Sequence, residues 1–547
     1  MHKKRVIDGL EPYLRAIAKV HLASAGVSLD ALDSRPLIAI ANSWNEVCPG
    51  HEPLRKLAEY VKAGVRAAGG EPIEFNTIGM CDGISQGHLG MRYTLPHREM
   101  IADSVEAMVV GQGIFDGMVL LGSCDKIIPA MMQAAIRIDL PAILVNAGSC
   151  VPELKPSDSK KLRTRFLAGE ITERQLVEQS LRYYSGPGVC PFFGTANTMA
   201  VLCEAMGLML SGSSVLPATT SSRLFSAEQA GAAVLRLVEH GLNPRKLITE
   251  WSFHNALVVL SALGGSLNAF LHLPAIASEA GLELSWDTFA DISARTPLLA
   301  ALTPNGDQTV YDLYRAGGIP AVLKELQPLL KLDAQTVDGV SIGQIAAAAS
   351  RGERSVIHAY DQPLAGSGGV QVLYGSLAPQ GALVKASAVP EDQHEFSGPA
   401  IVFDSEEACH TALYEGRIRQ GQVVIVRYEG PRGGPGMREL HRVTEVLKGV
   451  PNTALITDGR FSGASAGLSI GYLGPEAAEG GPIALVENGD IISISLKAGT
   501  VNLELPEAEL KERRCRWQPI TKVGHSKLLE RYSKQVGPTR QGAIWDI

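Results

Sequence analysis

The sequence predicts an α/β protein in two parts. An N-terminal parallel α/β domain over 1–360 carries the metal-site candidates, and a β-rich, barrel-like C-terminal domain spans 361–547. Three observations carry this reading. The chain has 547 residues, more than the ~250–300 at which a single hydrophobic core stops growing. Helix-period and strand-like runs alternate up to about residue 350, as in a parallel sheet flanked by helices. From 370 onward the pattern changes to short β-like runs separated by glycines.

The elements follow in chain order. Leu37-Ile38-Ala39-Ile40 reads as a strand. Over 53–68, Leu54, Leu57, Val61 and Val65 recur at helical spacing before Gly69-Gly70, a helix with a glycine stop. Pro72 to Thr77 is a strand, 97–111 a helix, Gly117 to Leu121 an apolar strand, 129–138 a helix and Ala142 to Val145 another strand. Segments 155–182, 195–211, 226–241 and 270–280 are predicted mainly helical. In the second part, Val370 to Tyr374, Val423 to Val426 and Ile491 to Ser495 read as strands. The boundary is expected within 355–369, with Gly366-Ser367-Gly368-Gly369 as the hinge.

Composition is that of a globular protein, 45% hydrophobic and 20% charged, with its 57 glycines spread along the chain. The net charge is −7, and Lys and Arg form no basic stripe that would neutralise a row of phosphates, which argues against a nucleic-acid partner. The basic start, Met1 to Arg5, runs into no apolar signal segment, and no run approaches the ~20 apolar residues of a membrane span, so no membrane partner and a cytoplasmic location are expected. Of the eight cysteines, five, Cys48, Cys81, Cys124, Cys150 and Cys190, fall between 48 and 190. In a reducing compartment they are expected to be free thiols.

Four segments concentrate chemistry. Gly122-Ser123-Cys124-Asp125-Lys126 stands at the C-terminal end of the strand 117–121, the edge where open α/β sheets bind ligands. It sets a soft thiolate beside a hard carboxylate, donors that suit iron and Mg2+ respectively. Cys81-Asp82-Gly83 follows the strand 72–77 and brings a second aspartate to the same edge. Gly186-Pro187-Gly188-Val189-Cys190 runs into the helix that opens at Thr195. Asn42 to His51, containing Cys48-Pro49-Gly50-His51, follows the first strand. No Cys-x2-Cys pair is present, which disfavours a zinc ribbon. The second part adds Tyr428 to Glu439, whose glycines could open a backbone nest for an anion such as a substrate carboxylate. It also adds Thr457 to Ser465; Ser462 lacks the Gly-x-Ser-x-Gly elbow of serine hydrolases.

Together, and in this order, these motifs resemble the dihydroxy-acid and 6-phosphogluconate dehydratase family over nearly the whole chain. Glu74-Phe75-Asn76-Thr77-Ile78, Arg98 to Ser104, Ser123-Cys124-Asp125-Lys126 and Thr195-Ala196-Asn197-Thr198-Met199 carry the likeness, and Ala454 to Gly463 is closer to the dihydroxy-acid branch. The resemblance implies a hydro-lyase that turns a small 2,3-dihydroxy acid into a 2-keto acid in branched-chain amino-acid biosynthesis. It implies Mg2+ held by Asp82, Asp125, a carbamylated Lys126 and Glu439. It implies an iron-sulfur cluster, 2Fe-2S or 4Fe-4S, held by Cys124, Cys190 and a third cysteine, Cys48 or its competitor Cys81. Ser462 is the implied base, Ser465, Asn268 and Thr195 the implied substrate contacts, and a homodimer or homotetramer the implied assembly. The chain departs from the family pattern at Cys48-Pro49-Gly50-His51, Leu267, His97 and Pro191-Phe192-Phe193, which bears on the substrate. A sugar-acid dehydratase is the alternative within the family, and a non-catalytic metabolite-binding paralogue the alternative outside catalysis.

Overall fold

A computed structural model describes residues 5–447, 449–461, 467–520 and 522–545. Four strands, β1 (Leu37–Asn42), β2 (Glu71–Asn76), β3 (Gly117–Leu121) and β4 (Ala142–Val145), form a parallel sheet in the order β2-β1-β3-β4. β1, β3 and β4 are buried along their whole length, because helices cover both faces and every side chain meets an apolar neighbour. On one face Ile38, Ile40, Val119 and Val145 pack against helices Leu54–Ala67 and Ser221–His240. On the other, Ala39, Met118 and Leu120 meet helices Pro96–Gln112 and Ile127–Ile138. The first pair of helices approach so closely that a Cβ on Gly64 would fall 1.9 Å from the Glu228 carbonyl oxygen. Only glycine fits there.

The connection from β1 leads outward to β2, whereas β3 and β4 lie on the other side of β1. The sheet therefore has its switch point between β1 and β3, the crevice in which open α/β sheets bind ligands. The Cys48 loop leaves β1 and the Cys124 loop leaves β3, so both open into that crevice.

The second sheet has eight strands: β5 (Val370–Leu373), β6 (Gly381–Lys385), β7 (Glu395–Phe403), β8 (Val423–Val426), β9 (Ala454–Thr457), β10 (Ser469–Gly474), β11 (Ile491–Ser495) and β12 (Thr500–Leu503). Their order is β12-β11-β7-β8-β9-β10-β6-β5, with parallel pairing from β7 to β10 and antiparallel pairing outside it. The two edges nearly meet: a bridge joins Tyr374 to Thr500, and the amide of Val501 donates to the Tyr374 carbonyl at 2.8 Å. This near-closure is the expected barrel-like architecture, and it removes the exposed edges that invite aggregation.

The predicted strands and helices of the first part match the structure to within a few residues, except that the helix expected over 195–211 ends at Ala205 and 155–182 resolves into two helices, Pro156–Leu167 and Glu173–Ser180. The two sheets do not have separate interiors throughout. Val372, Leu383, Met437, Tyr472 and Tyr532 join the largest apolar cluster of the N-terminal part, so the barrel is seated on the helices below it.

Candidate active site

The β3 strand ends in a backbone turn that ordinary residues avoid. Cys124 (φ 67°) and Lys126 (φ 65°) both adopt the left-handed conformation, at a cost of order 1 kcal/mol or more each. Alternating the backbone this way around Asp125 sends consecutive side chains in different directions. Cys124 joins other thiols, while Asp125 and Lys126 meet oxygen donors.

On the oxygen side, Lys126 is fully buried and donates to Asp82, to Asp125 Oδ2 at 3.3 Å and pairs with Glu439 Oε1 at 3.6 Å. One carboxylate oxygen each from Asp82, Asp125 and Glu439 lies within 4.8 Å of the others. Burial raises the Asp82 pKa, Lys126 opposes that rise, and Asp125 and Glu439 add to it. For Lys126 burial and Arg460 push the pKa down, but the three carboxylates outweigh them and the ammonium is held charged. Asp82 Oδ1 is buried and accepts no hydrogen bond among the described residues. Three converging carboxylates with an unmet oxygen form the donor set that a hard divalent cation takes, and the residues fit Mg2+.

Glu439 reaches this group from the second half of the chain. Asn268 Nδ2 donates to Glu439 Oε1 and to Thr195 Oγ1, both at 2.8 Å, and its Oδ1 accepts from Arg460 at 3.0 Å and from Tyr472. Arg460, fully buried, also donates to Glu439 at 3.1 Å and to the Met437 carbonyl. The polar capacity of Asn268 is thus spent on holding Glu439, Thr195 and Arg460 in register. Asn268→Ala strands buried donors and acceptors on several partners, so it is expected to destabilise the fold by at least about 2 kcal/mol and to weaken Mg2+ binding. Urea unfolding and metal titration read these two effects, and an unchanged midpoint and affinity would contradict this role.

On the sulfur side, Cys48 Sγ lies 3.5 Å from Cys124 Sγ, and Cys81 is a neighbour of Cys48. Cys190 is half-buried and senses the charges of Cys150 and Asp125, and after them those of Cys81 and Cys48. The contact with Cys124 raises the Cys48 thiol, the contact with Cys48 raises Cys81, and burial raises Cys190. For Cys124 the Cys48 contact pulls down, but burial and the charges of Cys190, Asp125 and Cys81 win and raise it. Thiolates here need a cation, and a soft metal supplies one. The residues fit an iron-sulfur cluster in donor type and in number.

His51 stands beside Cys48 and Cys124, but its Nδ1 lies 2.6 Å from the Ser43 carbonyl oxygen and its Nε2 lies 2.8 Å from that of Ser123. Both ring nitrogens face backbone carbonyls, and the neutral ring that burial favours donates to one of them. The ring ties the β1 loop to the β3 loop and so sets the spacing of Cys48 and Cys124. Asn45 helps, its Oδ1 accepting from the amides of Val47 and Cys48.

The sequence reading placed Cys48, Cys124, Cys190, Asp82, Asp125, Lys126, Glu439, Thr195 and Asn268 at the site, and the structure brings them together. Ser462 and Ser465 lie outside the described residues. The glycine-rich loop 429–437 needs a correction: its amides face the chain's own Glu476, not a free anion space, with Arg432 and Gly433 each donating to it at 2.8 Å. Tyr428 to Glu439 therefore shapes the path to Glu439 and offers no open nest. Phe193, expected near the substrate, is core. His51, Arg460 and Tyr472 were missed as positioning residues. Cys48-Pro49-Gly50-His51 and Asp458-Gly459-Arg460 contained the first two, but only the fold shows what they touch.

Burial pushes the Glu476 carboxyl up to about 8. The folded chain then keeps a proton that the unfolded chain releases near its ordinary 4.5. Its contribution is fully present below about pH 4.5 and is lost as pH rises through about 8, at up to about 1.4 kcal/mol per unit. Glu476→Gln is expected to flatten that decline in urea midpoints measured from pH 5 to 8. An unaltered slope would refute it.

Thiols on one side and carboxylates on the other, gathered at the switch point of a parallel sheet, make a candidate metal-binding site, and the class of protein is a hydro-lyase on the following comparisons. Residues 35–345 match the model described as dihydroxy-acid/6-phosphogluconate dehydratase N-terminal, and residues 355–543 match its C-terminal counterpart. The chain belongs to the dihydroxy-acid/6-phosphogluconate dehydratase family. Similar proteins named dihydroxy-acid dehydratase come from Caldanaerobacter subterraneus (45% identity, covering 100% of this chain and 99% of that one) and Pyrococcus abyssi (46%, 97% and 98%). A third, from Ignicoccus hospitalis, is 48% identical over 91% and 92%. Among the described residues no helix is long and apolar enough to cross a membrane.

Proposed function

We propose that the chain dehydrates a 2,3-dihydroxy carboxylic acid of the 2,3-dihydroxyisovalerate type to the 2-keto acid, as in branched-chain amino-acid biosynthesis in the cytoplasm. The observation that carries this is Lys126 buried between Asp82, Asp125 and Glu439, one residue-pair away from a thiol that packs on other thiols. In this reading Asp82, Asp125, Glu439 and a carbamate on Lys126 hold Mg2+, and Cys124 and Cys190 with further thiols hold an iron-sulfur cluster. When bound, the two metals supply Lewis acidity toward the C3 hydroxyl and the C2 oxygen.

Lys126 has two jobs in turn. As an ammonium it balances the carboxylates before metal arrives. Exchanging it for a carbamate plus Mg2+ leaves the formal charge of the set unchanged, so the modification suits the binding of the cation. Asn268 and Arg460 keep Glu439 aimed at the set, and Thr195 borders it. Ser462, as an alkoxide, takes the C2 proton on its Oγ; burial alone would oppose that ionisation, and the Mg2+ charge would supply the lowering of its pKa when bound. Loss of water from C3 leaves an enol that tautomerises to the 2-keto acid. The division of labour follows the two parts: 1–360 hold the metals, and 361–547 supply Glu439 and Ser462.

A homodimer or homotetramer accords with Val47, Ile78, Ile84 and Leu89, apolar side chains 46–66% exposed on the loops around the site. An anaerobic assay of 2-keto acid formation against a panel of dihydroxy and aldonic acids tests the substrate. Turnover of 2,3-dihydroxyisovalerate is the expected result. Activity confined to C5 and C6 aldonates would move the assignment to the sugar-acid branch.

A further inference from the structure

The segment that opens with Arg98 carries part of the family likeness, yet no step of the proposed reaction touches it. Arg98 is fully buried on helix Pro96–Gln112 and spreads its guanidinium over three groups. Its Nε donates to Glu99 Oε1 at 2.6 Å and its Nη1 to His272 Nδ1 at 3.2 Å. Its Nη2 donates to the carbonyls of Gly542 and Ala543, at 2.8 and 3.2 Å. Among the described residues its hydrogen bonds go to no cysteine and to no carboxylate of the oxygen set, so losing Arg98 removes no metal donor.

Gly542 and Ala543 belong to a closed loop, 536–545. A bridge joins Val536 to Trp545, and the amide of Gly537 donates to the Ile544 carbonyl at 2.8 Å. This loop touches both elements that hold Glu439. The first is helix Ala269–Glu279, which begins directly after Asn268. A Cβ on Gly542 (φ 95°) would fall 2.6 Å from the Ala275 amide nitrogen and 2.8 Å from the Leu271 carbonyl oxygen, so the loop lies against the helix backbone. The second is the glycine-rich stretch that ends at Glu439. There Arg432 donates to the Val536 carbonyl at 3.0 Å, and the Thr539 hydroxyl lies 3.9 Å from the sulfur of Met437, whose carbonyl accepts from Arg460. His272 completes the connection, its amide donating to the Asn268 carbonyl at 3.0 Å.

We infer that Arg98 is a positioning residue for Mg2+: by fastening loop 536–545 against helix Ala269–Glu279 it fixes Asn268 and Met437, and through them Glu439. This rests on the Mg2+ reading of the proposed function. Asn268 and Arg460 both donate to Glu439 Oε1, at 2.8 and 3.1 Å, so a shift of either support moves a donor atom. Both supports rest on the one loop that Arg98 ties down. Groups that orient a metal's carboxylate typically govern affinity by about 10–100-fold without touching the ion.

The test uses the full-length protein and readouts other than turnover. Titration with Mn2+, a paramagnetic stand-in for Mg2+ followed by EPR, reports on the oxygen set, and iron content after anaerobic reconstitution reports on the sulfur side. Arg98→Lys keeps a cation beside Glu99 but loses the planar fork that reaches His272 and two carbonyls together. Gly542→Ala pushes the loop off the helix with Arg98 intact. Each is expected to raise the Mn2+ dissociation constant at least about tenfold, with iron content at the wild-type level. Coupling is reciprocal, so Mg2+ is expected to slow hydrogen exchange of the 537–545 amides in the wild type, a measurement that needs no variant. Wild-type Mn2+ affinity in both variants, or an equal loss of iron and Mn2+, would overturn the positioning role. So would exchange in 537–545 that ignores Mg2+ while exchange around Glu439 slows. A wild-type protein that binds no Mn2+ would remove the Mg2+ reading and this inference together.

Discussion

Replacing Lys126 by methionine is expected to reduce dehydration more than about 10^3-fold and to destabilise the fold by about 3–5 kcal/mol, because it removes the buried cation that pairs with all three carboxylates. Lys126→Arg separates the two causes. A guanidinium still balances Asp82, Asp125 and Glu439, so the urea midpoint is expected to recover most of the loss. It cannot form a carbamate, so activity stays at the methionine level. Carbon-13 NMR of protein equilibrated with labelled CO2 is expected to show a carbamate carbon in the wild type and none in Lys126→Arg. A fully active arginine variant would mean that this side chain serves only as a counter-charge.

The second large effect is at Cys124. Cys124→Ser is expected to yield a protein that folds, with its unfolding midpoint within about 1 kcal/mol of the metal-free wild type, yet holds little iron and forms no 2-keto acid. The oxygen set is one residue away but does not depend on this sulfur for its hydrogen bonds, so Mg2+ binding is expected to persist. Iron analysis, visible absorption and the keto-acid assay read the three consequences. Retention of full iron content and turnover would show that Cys48, Cys81 and Cys190 suffice and that Cys124 is not a cluster ligand.

Much of this site was legible from residues in line. Cys124-Asp125-Lys126 and Cys81-Asp82 announce themselves because a strand end is a place where consecutive polar side chains have no core to enter, so their presence there calls for a ligand. Glu439 was legible only by resemblance, since nothing local distinguishes it from the other acids of a glycine-rich loop. The same loop misled in the other direction. Its glycines do free backbone amides, but Glu476 folds back from after β10 to accept from them, and no local pattern encodes a partner some forty residues away.

The sequence by itself determined the alternation of helices and strands, the change to a β-rich second part, and the donor types that suit a soft and a hard metal. Those follow from short-range physics: periodic burial, turn chemistry, and the match of sulfur or oxygen to a cation. Only the tertiary structure decided that Cys48 lies against Cys124, that His51 stands between two loops, and that Asn268 and Arg460 secure Glu439. Each of these is a contact between segments distant in the chain, and a one-dimensional pattern carries no information on how far apart such segments end when two sheets pack on one set of helices.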